Sequence, residues 1–452
     1  MPLRLRRIIY FSFILLFFVV APLLVLYSMG YRYHWGKRRF ERTGLLTISG
    51  TPHDAVVTMD DAIRARRLPA RIGGLPENEY TIRVEKPGFH PWEQRMAITS
   101  GRTTFADGIA LFPDSPPTLT VSDAVTDVQV SGDRAWLAFV RTSTSFTEAW
   151  IMNLRNGRRD LVLRLPLTGR PSPPRISLAW APRNASLLIT TTGAGKSDVL
   201  LVQPERSLVP TSILAALGAF PQRMMWELGS SAVLVADIRG MLIRYHVATN
   251  RTTVLGIRTP RTPFGLARDT VYTVTARGDL TAHHMGKQET TTIATLPNGA
   301  TVNAFTAWEN ETLTMSTTAG TTITVEIPNG DPIVSPGTRR TSVTTDDRRM
   351  RTVSHVGDHE LWMNDGEHEP RLIVRRSAPL IGFAVHPTGR HVMVATATEI
   401  IAIELRTREP RATAVIATFD AISAIAITPT GDVLHIAGRR STLEGLWALP
   451  LE

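Results

Sequence analysis

The chain has 452 residues, 43% hydrophobic and 20% charged, with a formal net charge of +10. That composition supports two to four packed domains at roughly 100–200 residues each and excludes a disordered chain. The absence of cysteine excludes a disulfide scaffold, a thiolate metal site and a cysteine nucleophile. Lys37, Lys86, Lys196 and Lys287 are the only lysines, so arginine carries the positive charge.

Residues 1–7, with Arg4, Arg6 and Arg7, read as a short cytoplasmic N-terminus. Residues 8–29 follow without a charge. As a helix at about 1.5 Å per residue they reach about 33 Å, against a hydrocarbon core of about 30 Å. Tyr10 at one end, and Tyr27, Tyr31, Tyr33 and Trp35 at the other, suit the two interfaces. The expectation is an uncleaved signal anchor, because a cleaved signal peptide has an apolar run of only about 7–15 residues. Arg32, Lys37, Arg38, Arg39 and Arg42 outnumber the leading arginines, which by count alone would hold the following chain inside. The compact basic lead and the charge-insensitive translocation of long domains favour N-in, C-out instead. That orientation makes a single-pass membrane protein with the bulk of the chain extracytoplasmic. Residues 30–43 read as a basic juxtamembrane stalk, either solvated or touching anionic headgroups or wall polymers.

Residues 44–113 read as a small β domain. Leu45–Ser49, Ala55–Met59, Tyr80–Val84, Met96–Ile98 and Phe105–Leu111 have strand character, with Asp60-Asp61 as a turn and Gly73-Gly74-Leu75-Pro76 as a loop. Tyr80, Phe89 and Trp92 supply core area, and Gly88 permits a positive φ in the turn after Lys86-Pro87. The segment resembles the PEGA domain, a small surface-associated β module. Pro52-His53-Asp54-Ala55 keeps the Pro and Ala of the name tetrad and departs from its Glu-Gly. Leu68-Pro69, Gly74-Leu75-Pro76 with Tyr80, Lys86-Pro87-Gly88-Phe89 and Trp92 carry the rest of the likeness. The resemblance implies a β module next to a membrane anchor and no catalytic residue. His53 and Asp54, at a loop tip, are its candidate contact residues.

Asp114-Ser115-Pro116-Pro117 reads as a linker, and residues 114–452 repeat. Clear copies begin at Ile176, Ile381 and Ile422, and weaker ones near Val125, Gln222, Pro263, Val302 and Ser342, which spaces them 39 to 51 residues apart. Such a period belongs to propellers. Trp180, Trp226 and Trp308 share one phase at the end of the first strand, and Trp150, Trp362 and Trp447 another in the third. The Trp180-Ala181-Pro182 turn followed by an apolar strand is similar to those of TolB-like and WD40-like propellers. The last copy has three strands, and Thr118–Ser122 can supply the fourth and close the ring. The expected fold is mostly β: a transmembrane helix, a PEGA-like domain and a propeller of eight blades, with seven as the alternative.

Motifs of chemistry are weak. Thr190–Ser197 ends like a P-loop but lacks the first glycine and leads into a strand. His355 and His359 have helical ligand spacing around a Gly357-Asp358 turn, and His283-His284 point to opposite faces of a strand. Asp346-Asp347 and Asn364-Asp365-Gly366 suit hairpin turns. Asn184, Asn250 and Asn310 begin glycosylation sequons at a frequency close to chance. A Gly-x-Ser-x-Gly elbow, a His-Glu-x-x-His pair and the quinone-docking repeat of some eight-bladed propellers are absent. The arginine pairs at 339–340, 348–349 and 439–440 make no stripe with aromatics, so no nucleic-acid partner is expected. No catalytic, cofactor-binding or metal-binding residue is assigned. The expected role is a non-enzymatic, membrane-anchored binding or scaffolding protein, its partner an envelope protein or a cell-wall polysaccharide. The alternative is a propeller-type carbohydrate-active enzyme, a glycosidase or lyase.

Overall fold

The computed structural model describes residues 3–28, 31–34, 39–167, 174–193, 197–287, 289–297, 300–309, 311–328, 330–336, 339–344, 350–365, 369–405 and 411–452. The chain divides into two compact units, Met1–Ser115 with Arg406–Ile416, and Pro116–Leu405 with Ala417–Glu452.

The first unit opens with helix α1, Leu3–Ser28, 26 residues with Pro22 inside. Among the described residues no helix is long and apolar enough to cross a membrane. The side chains described in α1 are those of residues 10–25, 27 and 28. The stalk holds two short strands, Tyr31–His34 and Arg39–Arg42, paired antiparallel.

The β domain has two sheets around one core of Leu46, Ile48, Val57, Met59, Ile82, Val84, Trp92, Ile98 and neighbouring residues. In one sheet Gly44–Thr51 lies between Ala70–Leu75, antiparallel, and Thr103–Ala110, parallel. The other runs Ala62–Ala65, Val56–Met59, Asn78–Glu85 and Trp92–Ile98. Asp60 and Asp61 both have positive φ, 46° and 62°. That is the mirror-image turn that matches the twist of a two-residue hairpin. Gly73-Gly74-Leu75 is strand rather than the expected loop. Leu75 pairs with Gly44 and Gly73 with Leu45, which leaves Gly74, at φ 73°, as the extra residue of a bulge. Gly88 has the expected positive φ, 80°.

Among the described residues, eight four-stranded antiparallel sheets follow Pro116. Seven are consecutive meanders at residues 124–166, 175–212, 223–258, 264–295, 302–336, 339–375 and 380–418, here called sheets one to seven. In the last sheet the three strands of residues 421–450 are completed by Thr118–Ser122, which pairs with Leu443–Pro450. The first strands therefore start within three residues of the positions expected from the repeat. The first strands of sheets one and two, four and five, six and seven, seven and the last, and the last and one touch, which puts these strands on the inside. This is the architecture of a β-propeller.

Period-2 alternation gives each middle strand two apolar faces, and those faces meet between sheets. Ala138, Val140 and Ile151 of sheet one pack with Leu187, Ile189 and Val202 of sheet two. Phe139 and Met152, on the other face of sheet one, pack with Ala426, Ala437 and Leu446 of the last sheet.

Candidate functional site

An antiparallel meander sorts its turns by end. One end of each sheet holds the turn between second and third strands and the connection to the next sheet. The other holds the first-to-second and third-to-fourth turns. Below these are the connection end and the turn end.

The tryptophans explain how the sheets are joined. The Trp180 indole N–H donates to the Gln129 carbonyl of sheet one at 3.1 Å, and that of Trp226 to the Ala179 carbonyl of sheet two at 3.1 Å. Trp308 instead stacks on Tyr272 of sheet four, ring centroids 5.3 Å apart. Each large ring thus seats on the preceding sheet, and in two of the three a partly buried N–H finds a carbonyl there. Asp127 and Gln129 reinforce the same joint. The Leu178 amide donates to Asp127 Oδ2 at 2.9 Å, and Gln129 Nε2 donates to the Leu178 carbonyl at 2.9 Å.

The second tryptophan phase carries a repeated carboxylate cluster that the repeat pattern alone did not reveal. Trp150 Nε1 donates to Glu148 Oε2 at 2.8 Å, and Arg164 Nε lies 2.7 Å from Glu148 Oε1. Trp362 Nε1 donates to Glu360 Oε2 at 2.8 Å, and Arg375 Nε lies 2.6 Å from Glu360 Oε1. In each case the arginine is the direct cross-strand partner of the glutamate. The Trp362 N–H, and after it Arg375, hold the Glu360 carboxyl below the usual glutamate range. The signal in the sequence was a Glu two residues before each Trp, with an Arg 15 or 16 residues after the Glu.

A buried carboxylate lies at the turn end of sheet three. Arg244 reaches Glu227 Oε1 at 3.0 Å and Asp269 Oδ1 at 2.7 Å. Burial pushes the Glu227 carboxyl up, and the Arg244 charge and hydrogen bond pull it back. At 5% exposure Glu227 is shut away from solvent, so no substrate reaches it in this conformation. Nearby, the Arg183 amide donates to Ser231 Oγ at 2.9 Å, and Arg183 lies 3.5 Å from Glu309.

The motif residues named from sequence are not gathered into one site. Asp54 pairs with Lys86 at 2.8 Å, whose hydrogen bond holds the carboxyl below its usual range, and His53 is exposed beside it. His283 Nδ1 lies 2.8 Å from Thr290 Oγ1 and His284 Nδ1 lies 2.9 Å from Thr270 Oγ1, on strands to either side. His359 Nδ1 meets the Arg376 carbonyl at 3.1 Å in a turn, while His355 lies within the strand Met350–Val356. Strands Leu187–Thr192 and Asp198–Gln203 pair directly, so the P-loop-like run bridges a hairpin. Its residues 194–196, with Trp35, Lys37, Arg38, Asn310, Asp346-Asp347, Arg348-Arg349 and Gly366, lie outside the described residues, as do the side chains of Arg339 and Arg340. Asn184 and Asn250 are both used internally. Asn184 donates to the Ser231 carbonyl at 3.3 Å, and Asn250 accepts from the Tyr245 hydroxyl at 2.9 Å. Among the described residues no group of three or more His, Cys, Asp or Glu is placed to hold a metal ion.

Residues 43–108 match the PEGA domain family. No curated protein matches the chain in sequence. Solved structures similar to it include the C-terminal WD40 domain of Sif2, with 13% identity and a TM-score of 0.49 over 76% of this chain and 100% of that one. The Dos1 propeller has 11% identity and a TM-score of 0.44 over 74% and 94%. The propeller architecture itself rests on the strand pairing above.

Proposed function

We propose that the protein is a membrane-anchored, extracytoplasmic binding or scaffolding protein. In this reading α1 holds it in a bilayer with the N-terminus inside, and the eight sheets close into one eight-bladed ring that presents its turns to an envelope protein or a cell-wall polysaccharide. The observation that carries the binding role is the meander, which gathers eight sets of turns and connections at one end of a rigid scaffold. Loops held so are free to vary without disturbing the interdigitated cores behind them. The anchor is supported by α1 itself. Among the described residues Phe11, Phe13, Ile14, Leu15, Leu16, Phe17 and Phe18 are all exposed, so this stretch of the helix is apolar on every side. A periplasm-active reporter fused after Glu452 is expected to be active in the membrane fraction. Activity of a cytoplasm-only reporter at that position would refute the orientation.

A further inference from the structure

We infer that the connection end of sheets two to four is a binding surface for a linear polymer carrying repeated phosphate groups. The inference deepens the binding role proposed above and depends on it only for the location of the polymer.

Six arginines gather there. Arg175 and Arg223 open the first strands of sheets two and three. Arg239 sits in the turn between Val233–Ile238 and Met241–His246, Arg258 ends the strand Arg251–Arg258, and Arg261 follows in the connection to sheet four. Arg277 lies in the turn between Thr270–Val274 and Asp279–His284. All six are exposed, and among the described residues none makes an ion pair.

The carboxylates of the same end are turned to internal work. Asp198 accepts from the Ser212 hydroxyl at 2.7 Å and the Val199 amide at 2.8 Å. Asp237 is buried and accepts from the Gly240 amide at 3.1 Å, and Asp279 accepts from the Thr295 hydroxyl at 3.0 Å. None of the three is exposed. The turn end of the same three sheets is different, because Glu205, Asp269 and Glu289 stand exposed among its cations. Net charge therefore does not single out the connection end. The separation of exposed guanidiniums from exposed carboxylates does.

Stacked sheets lie about 10 Å apart, so three of them spread the arginines over about 20 Å or more. One small anion cannot bridge that distance, whereas a chain of anions can. A guanidinium offers paired N–H donors to two oxygens of one phosphate, and strand ends hold the backbones of Arg175, Arg223 and Arg258. Phe220, partly exposed in the connection before Arg223, adds an apolar flank.

The test uses the full chain purified in a non-ionic detergent, with labelled inorganic polyphosphate at about 0.15 M salt. Binding is expected. The triple variant Arg223→Gln, Arg258→Gln, Arg277→Gln should raise Kd at least about tenfold, or about 1.4 kcal/mol. Its Kd should also depend less steeply on salt, because fewer counterions are displaced. The turn-end triple Arg155→Gln, Arg251→Gln, Arg268→Gln should leave Kd unchanged. Should the first triple fail to fold, Arg277→Gln alone in its exposed turn reads the same effect on a smaller scale. Absence of binding, equal loss in both triples, equal affinity for poly-glutamate at matched charge, or preference for anionic vesicles over polyphosphate would each overturn the assignment. A cytoplasmic C-terminus in the reporter experiment would sink the envelope location and leave this binding result standing, so the two failures are distinguishable.

Discussion

His435 makes the packing of the last sheet against sheet one sensitive to pH. It lies in the strand Val433–Arg440, opposite Ala426 and Ala448. Strand alternation puts it on the face of Ala437, which packs against Leu137, Phe139 and Met152 of sheet one. It is 8% exposed, and among the described residues its Nδ1 has no hydrogen-bond partner. Burial lowers its pKa from 6.5 to about 4, although the Asp432 carboxylate acts in the opposite direction. The sign follows directly. Above pH 6.5 both folded and unfolded chains carry a neutral ring, and stability is complete. As pH falls toward about 4 the unfolded chain takes up a proton that the folded one refuses, so stability falls. At about 1.4 kcal/mol per unit the loss approaches roughly 3 kcal/mol. His435→Leu should flatten this part of the pH profile of chemical denaturation. An identical slope between pH 6.5 and 4 in both proteins would show that His435 is not the titrating group.

At the scale of elements, one strand position takes two forms. The residue two before the third-strand tryptophan is Glu148, Glu360 or Gly445. In sheets one and six the fourth strand comes from the same meander and places Arg164 or Arg375 opposite the glutamate. In the last sheet the fourth strand is Thr118–Ser122, with Ser122 opposite Gly445 and a register shift between Leu119 and Val121. The shift brings the Val121 carbonyl so close that a Cβ on residue 445 would collide with backbone. Trp447 then donates to the Gly438 carbonyl at 3.0 Å in place of a glutamate. Gly445→Val should therefore destabilise the propeller by about 1–3 kcal/mol, since overpacking against backbone has little room to relax. Gly157→Val is the control, because nothing lies within 4 Å of a Cβ there, although its φ of +70° adds backbone strain. A loss at 445 no larger than at 157, measured by urea unfolding, would contradict the close approach.

At the scale of the molecule, Thr118–Ser122 pairs with Leu443–Pro450 from the far end of the chain. Thr120 Oγ1 donates to the Leu446 carbonyl at 2.8 Å, and Thr118 Oγ1 to the Ala448 carbonyl at 3.3 Å. Val121 is buried with the core shared by the last sheet and sheet one. Removing Thr118–Ser122 exposes the edge of Leu443–Pro450 and part of that core together, and an open apolar edge pairs with other chains. A fragment starting at Val125 should melt lower and associate more than one starting at Asp114. Equal melting and monomeric behaviour of both would show that the ring does not depend on this strand.

Much of this architecture was legible in the sequence. The eight starts, the two tryptophan phases and the missing fourth strand follow from a 39–51-residue period and from counting apolar runs, because alternation and turn residues are local properties. The strand Ala70–Leu75 was not legible, since Gly73-Gly74 reads as loop until the bulge opposite Gly44 gives it a partner. Nor were the partners of the polar groups. Period 2 assigns a residue to a face, whereas pairing Glu148 with Arg164, or Ser122 with Gly445, needs the cross-strand register. The same holds for the arginine surface, whose residues lie between 175 and 277 in sequence and fall at one end of their sheets only because each meander returns its turns there. The sequence by itself determined the repeat and the faces, because both follow from local alternation and spacing. The tertiary structure decided which carboxylates are consumed internally and which arginines remain free, because hydrogen-bond partners are chosen across strands and sheets rather than along the chain.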